Sequence, residues 1–246
     1  MKTAVTNPAF KRPVVWVTGA SKGIGREIAK EFAATGYDVY LSSRSNPSLQ
    51  SAVKEITKLG GKAHPVPVDI RKRRSVFDAC RRIEKMAGQI DILVNNAGIT
   101  AFKSFVDTTS EEIENIIQTN LLGHMFCAKA VLPGMIKRRR GMIVNIISHA
   151  AIKTFTNSSA YTASKAGVFG WGKAIREELG EYNIKVVNVL PGATETEMWP
   201  EKVRKKHSSG MMKPKSIAET IVAIAGLPDD IVVDEIVLRP VPGDLN

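Results

Sequence analysis

The chain is poor in cysteine: Cys80 and Cys127 are the only two in 246 residues. With no repeated spacing, neither a disulfide framework nor a zinc site is expected, and a reducing, cytoplasmic setting is the natural one. Histidine is scarce too. His64, His124, His149 and His207 share no ligand spacing, so no metal is expected. Nowhere do about 18 apolar residues run together, which leaves no candidate for a membrane span. The opening MKTAVTNPAFKRP lacks the apolar stretch of a secretory signal, and residues 1–12 read as a short flexible lead-in. Aromatic residues make up only 6%, and none interleaves with the basic runs, so a formal charge of +11 does not point to nucleic acid. The densest of those runs, RKRR (71–74), KRRR (137–140) and KVRKK (202–206), read as solvated helix ends and loops.

What the chain does have is a 43% hydrophobic share, enough for a real core, concentrated in short β-branched runs. They are PVVWVTG (13–19), DVYLSSR (38–44), AHPVPVD (63–69), DILVNNAG (91–98), GMIVNIIS (141–148), IKVVNVLPG (184–192) and DEIVLRP (234–240). Each is short and apolar on both faces, as in strands buried inside a parallel sheet. Segments between them, such as GREIAKEFAATG and SVFDACRRIEKMAG, carry helical spacing and end at glycine. About seven strands alternating with about six helices predict an α/β fold. It is a Rossmann-type doubly wound parallel sheet with helices on both faces, in a single domain over residues 13–246. The stretch from Thr194 to Pro214 breaks this rhythm after a strand end, where such sheets hold their ligand, and is expected to form a substrate lid.

VTGASKGIGREIA follows the first strand and opens the first helix. Gly19, Gly23 and Gly25 permit a sharp turn and a close approach of backbone to ligand, with Ser21, Lys22 and Ile24 completing the loop. The helix N-terminus there offers unpaired N–H groups and a positive dipole end to a pyrophosphate. The spacing is G-x-x-x-G-x-G; its place between a strand and a helix is what gives it weight. The end of the second strand then separates NAD from NADP. An acid there accepts hydrogen bonds from the ribose 2′-hydroxyl, but the chain has LSSRS, with Ser43 in that place and Arg44 next. Arg44 and Lys22 suit a 2′-phosphate, which a guanidinium binds through two parallel hydrogen bonds and a carboxylate repels. NADP(H) is the expected cofactor.

AYTASKAGVFG (160–170) sets Tyr161 and Lys165 four positions apart, on one face of a helix. Taken alone, the pair is either a surface contact or a tyrosine held ready to move a proton. A free phenol, with a pKa of about 10, holds its proton too tightly for neutral pH, and an ammonium within about 4–6 Å favours the phenolate.

With these pieces in hand the chain resembles the short-chain dehydrogenase/reductase family over nearly its whole length. The matching motifs are TGASKGIG, Asp69 after the third strand, NNAG (95–98) after the fourth, Asn120, Ser148, Tyr161-x-x-x-Lys165 and PG (191–192). The resemblance implies the family fold, a nicotinamide cofactor, hydride transfer at a carbon bearing oxygen, and homodimers or homotetramers. It places Asp69, with Ile70 beside it, at the adenine ring, and Asn95, Asn96, Ala97 and Gly98 at the central strand end and adenosine ribose. Lys165 binds the nicotinamide ribose. Pro191, Gly192 and Thr194 hold the carboxamide, and Thr196 is a further candidate for that contact. Ser148 orients the carbonyl, Tyr161 donates the proton, Lys165 assists it, and Asn120 anchors a relay water. His149, Met198 and Trp199 stand where substrate is expected.

The expected function is an NADPH-dependent carbonyl reductase acting on a small molecule. The alternative within the family is a 3-oxoacyl-(acyl-carrier-protein) reductase, with Arg139 or Arg140 docking the acidic carrier. Tyr182, where such enzymes often carry a second basic residue, and a tail without V-D-G-G depart from that branch. The tail looks more like those of sepiapterin-reductase-like and 3-hydroxy-acid or serine dehydrogenases. A cofactor-binding regulator without turnover is the alternative of another class. The Arg44 reading is directly testable: Arg44→Asp should weaken NADPH binding by about 1–3 kcal/mol and leave NADH nearly untouched. Equal losses for both in a binding titration would remove Arg44 from the phosphate.

Overall fold

A computed structural model describes residues 12–243, so all but the last residue of the expected lead-in lies outside the described residues. The β-branched runs form β1 (Val14–Thr18), β2 (Asp38–Ser42), β3 (Lys62–Pro65), β4 (Ile92–Asn95), β5 (Gly141–Ile146), β6 (Ile184–Pro191) and β7 (Glu235–Leu238). The helices in chain order are α1 (Gly23–Ala34), α2 (Asn46–Lys58), α3 (Arg73–Ala87), α4 (Ser110–Ile117), α5 (Gly123–Arg138), α6 (Ser159–Leu179), α7 (Glu201–His207) and α8 (Pro214–Ala225). All strand pairings are parallel, in the order β3-β2-β1-β4-β5-β6-β7.

Alternation along β1 shows how the two faces are built. Val15 and Val17 point to one side and Val14 and Trp16 to the other, because successive side chains in a strand face opposite ways. The first side is packed by Ile28 and Phe32 of α1, Leu49 and Ile56 of α2, and Ile217 and Ile221 of α8. The second is packed by Val76 and Ile83 of α3, Val131 of α5, and Ile175 and Leu179 of α6.

Two details differ from the sequence reading. Only the central strands are buried on both faces; β3 and β7 are partly exposed because each is a sheet edge with less packed against it. Among the described residues eight α-helices form instead of about six, and α7 lies inside the expected lid. α4 is started by a capping box in which Thr109 Oγ1 accepts from the Glu112 amide at 3.2 Å and Glu112 Oε2 accepts from the Thr109 amide at 2.9 Å. No helix among the described residues is long and apolar enough to cross a membrane.

Three buried asparagines stand in register on β4, β5 and β6. Asn95 Nδ2 donates to Asn145 Oδ1, and Asn145 Nδ2 donates to Asn188 Oδ1, both at 3.1 Å. Gly172 of α6 leaves room for this row, because a Cβ there would stand 2.4 Å from Asn188 Oδ1. Asn145 is the shared partner. Asn145→Ala leaves Asn188 Oδ1 without its partner and Asn95 Nδ2 with only a 3.4 Å bond to the His124 carbonyl, and urea unfolding is expected to show a loss of about 1–3 kcal/mol. An unchanged midpoint would mean that the row contributes nothing to stability.

Candidate active site

The strands' carboxyl ends open into a cleft of about 1290 Å³. That exceeds the roughly 300–1,000 Å³ of an ordinary small-molecule pocket and suits a dinucleotide together with a second molecule. The loop after β1 forms its floor. Gly19 and Gly23 hold φ of +66° and +57°, which only glycine adopts readily. Lys22, the N-cap of α1, makes no side-chain cap, so the first amides of that helix are left for a ligand. Ser21, Lys22 and Ile24 line the cleft with both glycines.

Gly25 does not line it. A Cβ there would stand 2.3 Å from Asn96 Nδ2 and 2.6 Å from the Gly19 carbonyl, so this glycine lets α1 sit beneath the loop after β4. Asn96 ties the same loops: its Nδ2 donates to the carbonyls of Thr18 at 2.9 Å and Gly19 at 3.2 Å. Thr18 Oγ1 in turn accepts from the amides of Asn96 and Ala97.

Ser43 and Arg44 line the cleft after β2, and Asp69 and Ile70 after β3. Asp69 is held by Arg71, whose Nε reaches Oδ1 at 3.0 Å and whose NH2 group reaches Oδ2 at 2.8 Å. These bonds, with Arg44 also near, hold the Asp69 carboxyl below the usual carboxylate range. Arg71 further donates to Asn115 Oδ1 at 2.9 Å. Arg71 opens the RKRR run expected to be solvated, but the fold turns it inward to Asp69 two residues before it.

The chemical end lies after β4, β5 and β6. Ser148 follows β5, and its Oγ accepts from the Ala150 amide at 3.1 Å, which leaves the hydroxyl hydrogen to be donated. It is hydrogen-bonded to Tyr161. Lys165 is buried, its Nζ 2.9 Å from the Ile146 carbonyl and 5.8 Å from the Tyr161 ring centroid. Burial pushes Lys165 down to about 7. Burial also raises the Tyr161 phenol, against the Ser148 hydrogen bond that lowers it. Burial is the larger of the two effects, so the phenol of the protein alone stands above its usual value, and no lowering by Lys165 accompanies it.

Asn120 is fully buried and does not reach the cleft surface. It sits in a π-helical turn, Gln118–Leu122, joining α4 to α5. Its Nδ2 donates to the Ile99 carbonyl at 2.9 Å and to Ser164 Oγ at 3.0 Å, while Oδ1 accepts from the Ile99 amide at 2.8 Å. A Cβ on Gly98 would stand 3.5 Å from that Oδ1 and 3.6 Å from Lys165 Nζ, so glycine separates the two polar tips. His124, one turn on, bonds the Ala97 carbonyl at 2.7 Å through Nε2. Burial and the Lys165 charge push it down to about 3, so it is neutral and Nε2 carries the hydrogen. Its part in shaping the cleft wall was not foreseen.

After β6, Pro191, Gly192, Thr194 and Thr196 all line the cleft. Thr194 spends its hydroxyl hydrogen on the Gly192 carbonyl at 3.0 Å. Thr196 lies over the glycine loop, its Cγ2 3.3 Å from a Cβ built on Gly23. The 194–214 segment is pinned at its base, where Met212 N reaches Ala193 O and Glu195 N reaches Met212 O, each at 2.9 Å. Beyond that base Met198, Trp199, Val203 and His207 face the cleft, as does His149 from the loop after β5. Arg139 and Arg140 lie elsewhere. They precede β5, at the opposite end of the sheet, where Arg139 bonds the Glu181 carbonyl and Arg140 pairs with Asp229 at 3.4 Å.

Comparison with known proteins agrees with this geometry. Residues 13–207 match the family model described as short chain dehydrogenase. A sepiapterin reductase of Chlorobaculum tepidum is 36% identical over 240 residues, covering 95% of this chain and 98% of that protein. A 3-oxoacyl-(acyl-carrier-protein) reductase of Thermotoga maritima is 37% identical over 220 residues, covering 86% of this chain and 89% of its own. An alcohol dehydrogenase from the archaeon Thermococcus sibiricus, solved with 5-hydroxy-NADP, superposes with a TM-score of 0.87 at 28% identity, over 96% of this chain and 99% of that one. The chain belongs to the short-chain dehydrogenase/reductase family of oxidoreductases.

Proposed function

We propose that the protein is an NADPH-dependent reductase of a small-molecule carbonyl. The observation that carries this is the meeting of Ser148, Tyr161 and Lys165 in one cleft with a glycine loop and Arg44. The floor fits a dinucleotide: positive-φ glycines, uncapped helix amides and two cations, Lys22 and Arg44, with no acid at the end of β2. Lys22 and Arg44 hold the 2′-phosphate, and Asp69 and Ile70 meet the adenine. Asn96, Ala97 and Gly98 line the adenosine ribose. Pro191 and Gly192 hold the carboxamide, with Thr196 rather than Thr194, because the Thr194 hydroxyl is already committed to Gly192.

Bound there, the reduced nicotinamide supplies the hydride. Ser148 donates a hydrogen bond to the substrate oxygen and stabilises the charge that grows on it. Tyr161 gives that oxygen its proton, which burial keeps on the phenol until it is needed. Lys165, with a pKa of about 7, gains and loses a proton readily at neutral pH and returns one to Tyr161. Asn120 is a positioning residue that fixes Ile99 and the cleft wall, and the remaining lone pair of its Oδ1 is the place for the relay water beside Gly98. The segment 194–214 acts as a lid hinged at the Ala193–Met212 contact. A homodimer or homotetramer in the cytoplasm accords with the family and with two buried free thiols. Carrier-protein docking on Arg139 or Arg140 is disfavoured, because both sit at the far end of β5 from Ser148.

Tyr161→Phe is expected to lower carbonyl-dependent NADPH oxidation by about 10²–10⁴-fold without changing NADPH affinity. Retained turnover would sink the reading, and so would a wild-type protein that oxidises no NADPH across diketones, pterins, 3-oxo acids and 3-oxoacyl thioesters. Lys165 tests the electrostatics separately. Its pKa falls on folding from 10.5 to about 7, so its burial costs stability in full below about pH 7 and nothing above about pH 10.5. Lys165→Met should therefore be inactive yet more stable than wild type at pH 7, with the gap closing toward pH 10. A gap that does not change with pH in urea melts would mean that Lys165 is not desolvated.

A further inference from the structure

The same cleft carries information about its substrate. We infer that its chemical end selects a neutral ketone bearing an aromatic or other apolar group, and that the stacked rings of Phe102 and Trp199 make the selection. The inference rests on the reductase reading above and narrows it.

The topology places the two rings. β5 lies between β4 and β6, and Ser148 follows β5. Phe102 follows β4 and Trp199 follows β6, yet their centroids are 5.1 Å apart with planes only 15° from parallel. The stack thus bridges the loops on either side of β5, and its two rings line the same cleft as Ser148 and Tyr161. It also joins the lid to the opposite wall.

The rings are not spent on the core. Phe102 is 41% exposed, Met198 39% and Phe155 36%, and all three line the cleft. An apolar cluster left open at a cleft mouth marks a binding surface. A planar ring sliding against Trp199 or Phe102 replaces one stacked contact with another and loses little on entry.

Charge points the same way. Among the described residues lining the cleft, Lys22, Arg44 and Arg71 gather on the loops after β1, β2 and β3. The loops after β4, β5 and β6 contribute no lysine or arginine to it, and Glu197 is their one acid. Of the cations around the rim, Lys153 lies over the Phe155 ring, 5.5 Å from its centroid, and others are turned to carboxylates. Lys103 pairs with Glu112 and Lys205 with Glu201, both at 2.6 Å, while Arg204 acts on Glu195. A carboxylate or phosphate carried into this end loses its hydration and meets only Lys165, a buried amine with a pKa of about 7 bonded to the Ile146 carbonyl. A neutral ester or ring loses nothing comparable.

The test uses a matched pair, ethyl benzoylformate and benzoylformate, which share ring and ketone and differ in charge. With NADPH, the wild-type protein is expected to reduce the ester with kcat/KM at least about tenfold above the anion. Trp199→Ala and Phe102→Ala should each raise KM for the ester about tenfold more than for the small aliphatic diketone diacetyl and leave NADPH affinity unchanged. Trp199→Phe, which keeps a ring, should restore the ester. Equal or better use of the anion overturns the inference, and so does an equal effect of the alanine variants on ester and diacetyl. Calorimetric binding to NADPH-saturated Tyr161→Phe protein separates the two readings. Ester preference in binding without any wild-type turnover would sink the reductase reading and leave the selection standing; turnover with no preference in binding would do the reverse.

Discussion

The reversal of direction between β1 and β4 is the constraint on which the site depends. In the order β3-β2-β1-β4-β5-β6-β7 the chain leaves β1 toward one edge and β4 toward the other, so no connection passes between their carboxyl ends. The gap exposes backbone groups with no ladder partner, and Thr18 and Asn96 satisfy them with side-chain bonds. Those bonds also fix the glycine loop against the loop after β4. The crevice is thereby both open and rigid.

Rigidity at the chemical end comes from the other side of the sheet. Asn120 imitates a strand neighbour for Ile99 by offering both a donor and an acceptor to its backbone. The π-helical turn that presents Asn120 departs from regular helix, and such turns recur where a side chain must be aimed. Beside it an ammonium is kept out of water, which costs several kcal/mol at about 1.4 kcal/mol per unit of pKa. The Ile146 carbonyl offsets only part of that cost, since Lys165 titrates near 7. A group that is expensive to bury and cheap to protonate and deprotonate is suited to a proton relay. The neutral His124 nearby avoids adding a second charge.

Much of this was legible in the residues. Period and β-branching gave all seven strands, and the glycine loop, Arg44, Ser148, Tyr161 and Lys165 all reach one cleft. Gly25 packs against Asn96 instead of lining the cleft, for a physical reason. A glycine needed for close packing and one needed for ligand contact look alike until the neighbour, here Asn96, is in place. Arg71 was hidden inside a basic run, because a run shows charge density and not which member turns inward to Asp69. The edge strands were read as buried because apolarity alone does not say which strand has a neighbour on each side.

Local pattern was enough to determine the strands, most of the helices between them and the Tyr161–Lys165 pair as candidates, since each depends on spacings of a few residues. Three things needed the folded chain. The titration of Tyr161 and Lys165 depends on how far each is removed from water, and the KRRR arginines are placed by which end of β5 they precede. The contact of Phe102 with Trp199 brings together positions nearly a hundred residues apart. Burial, sheet end and long-range contact are properties of strand order, and strand order is set only when all seven strands compete for neighbours at once.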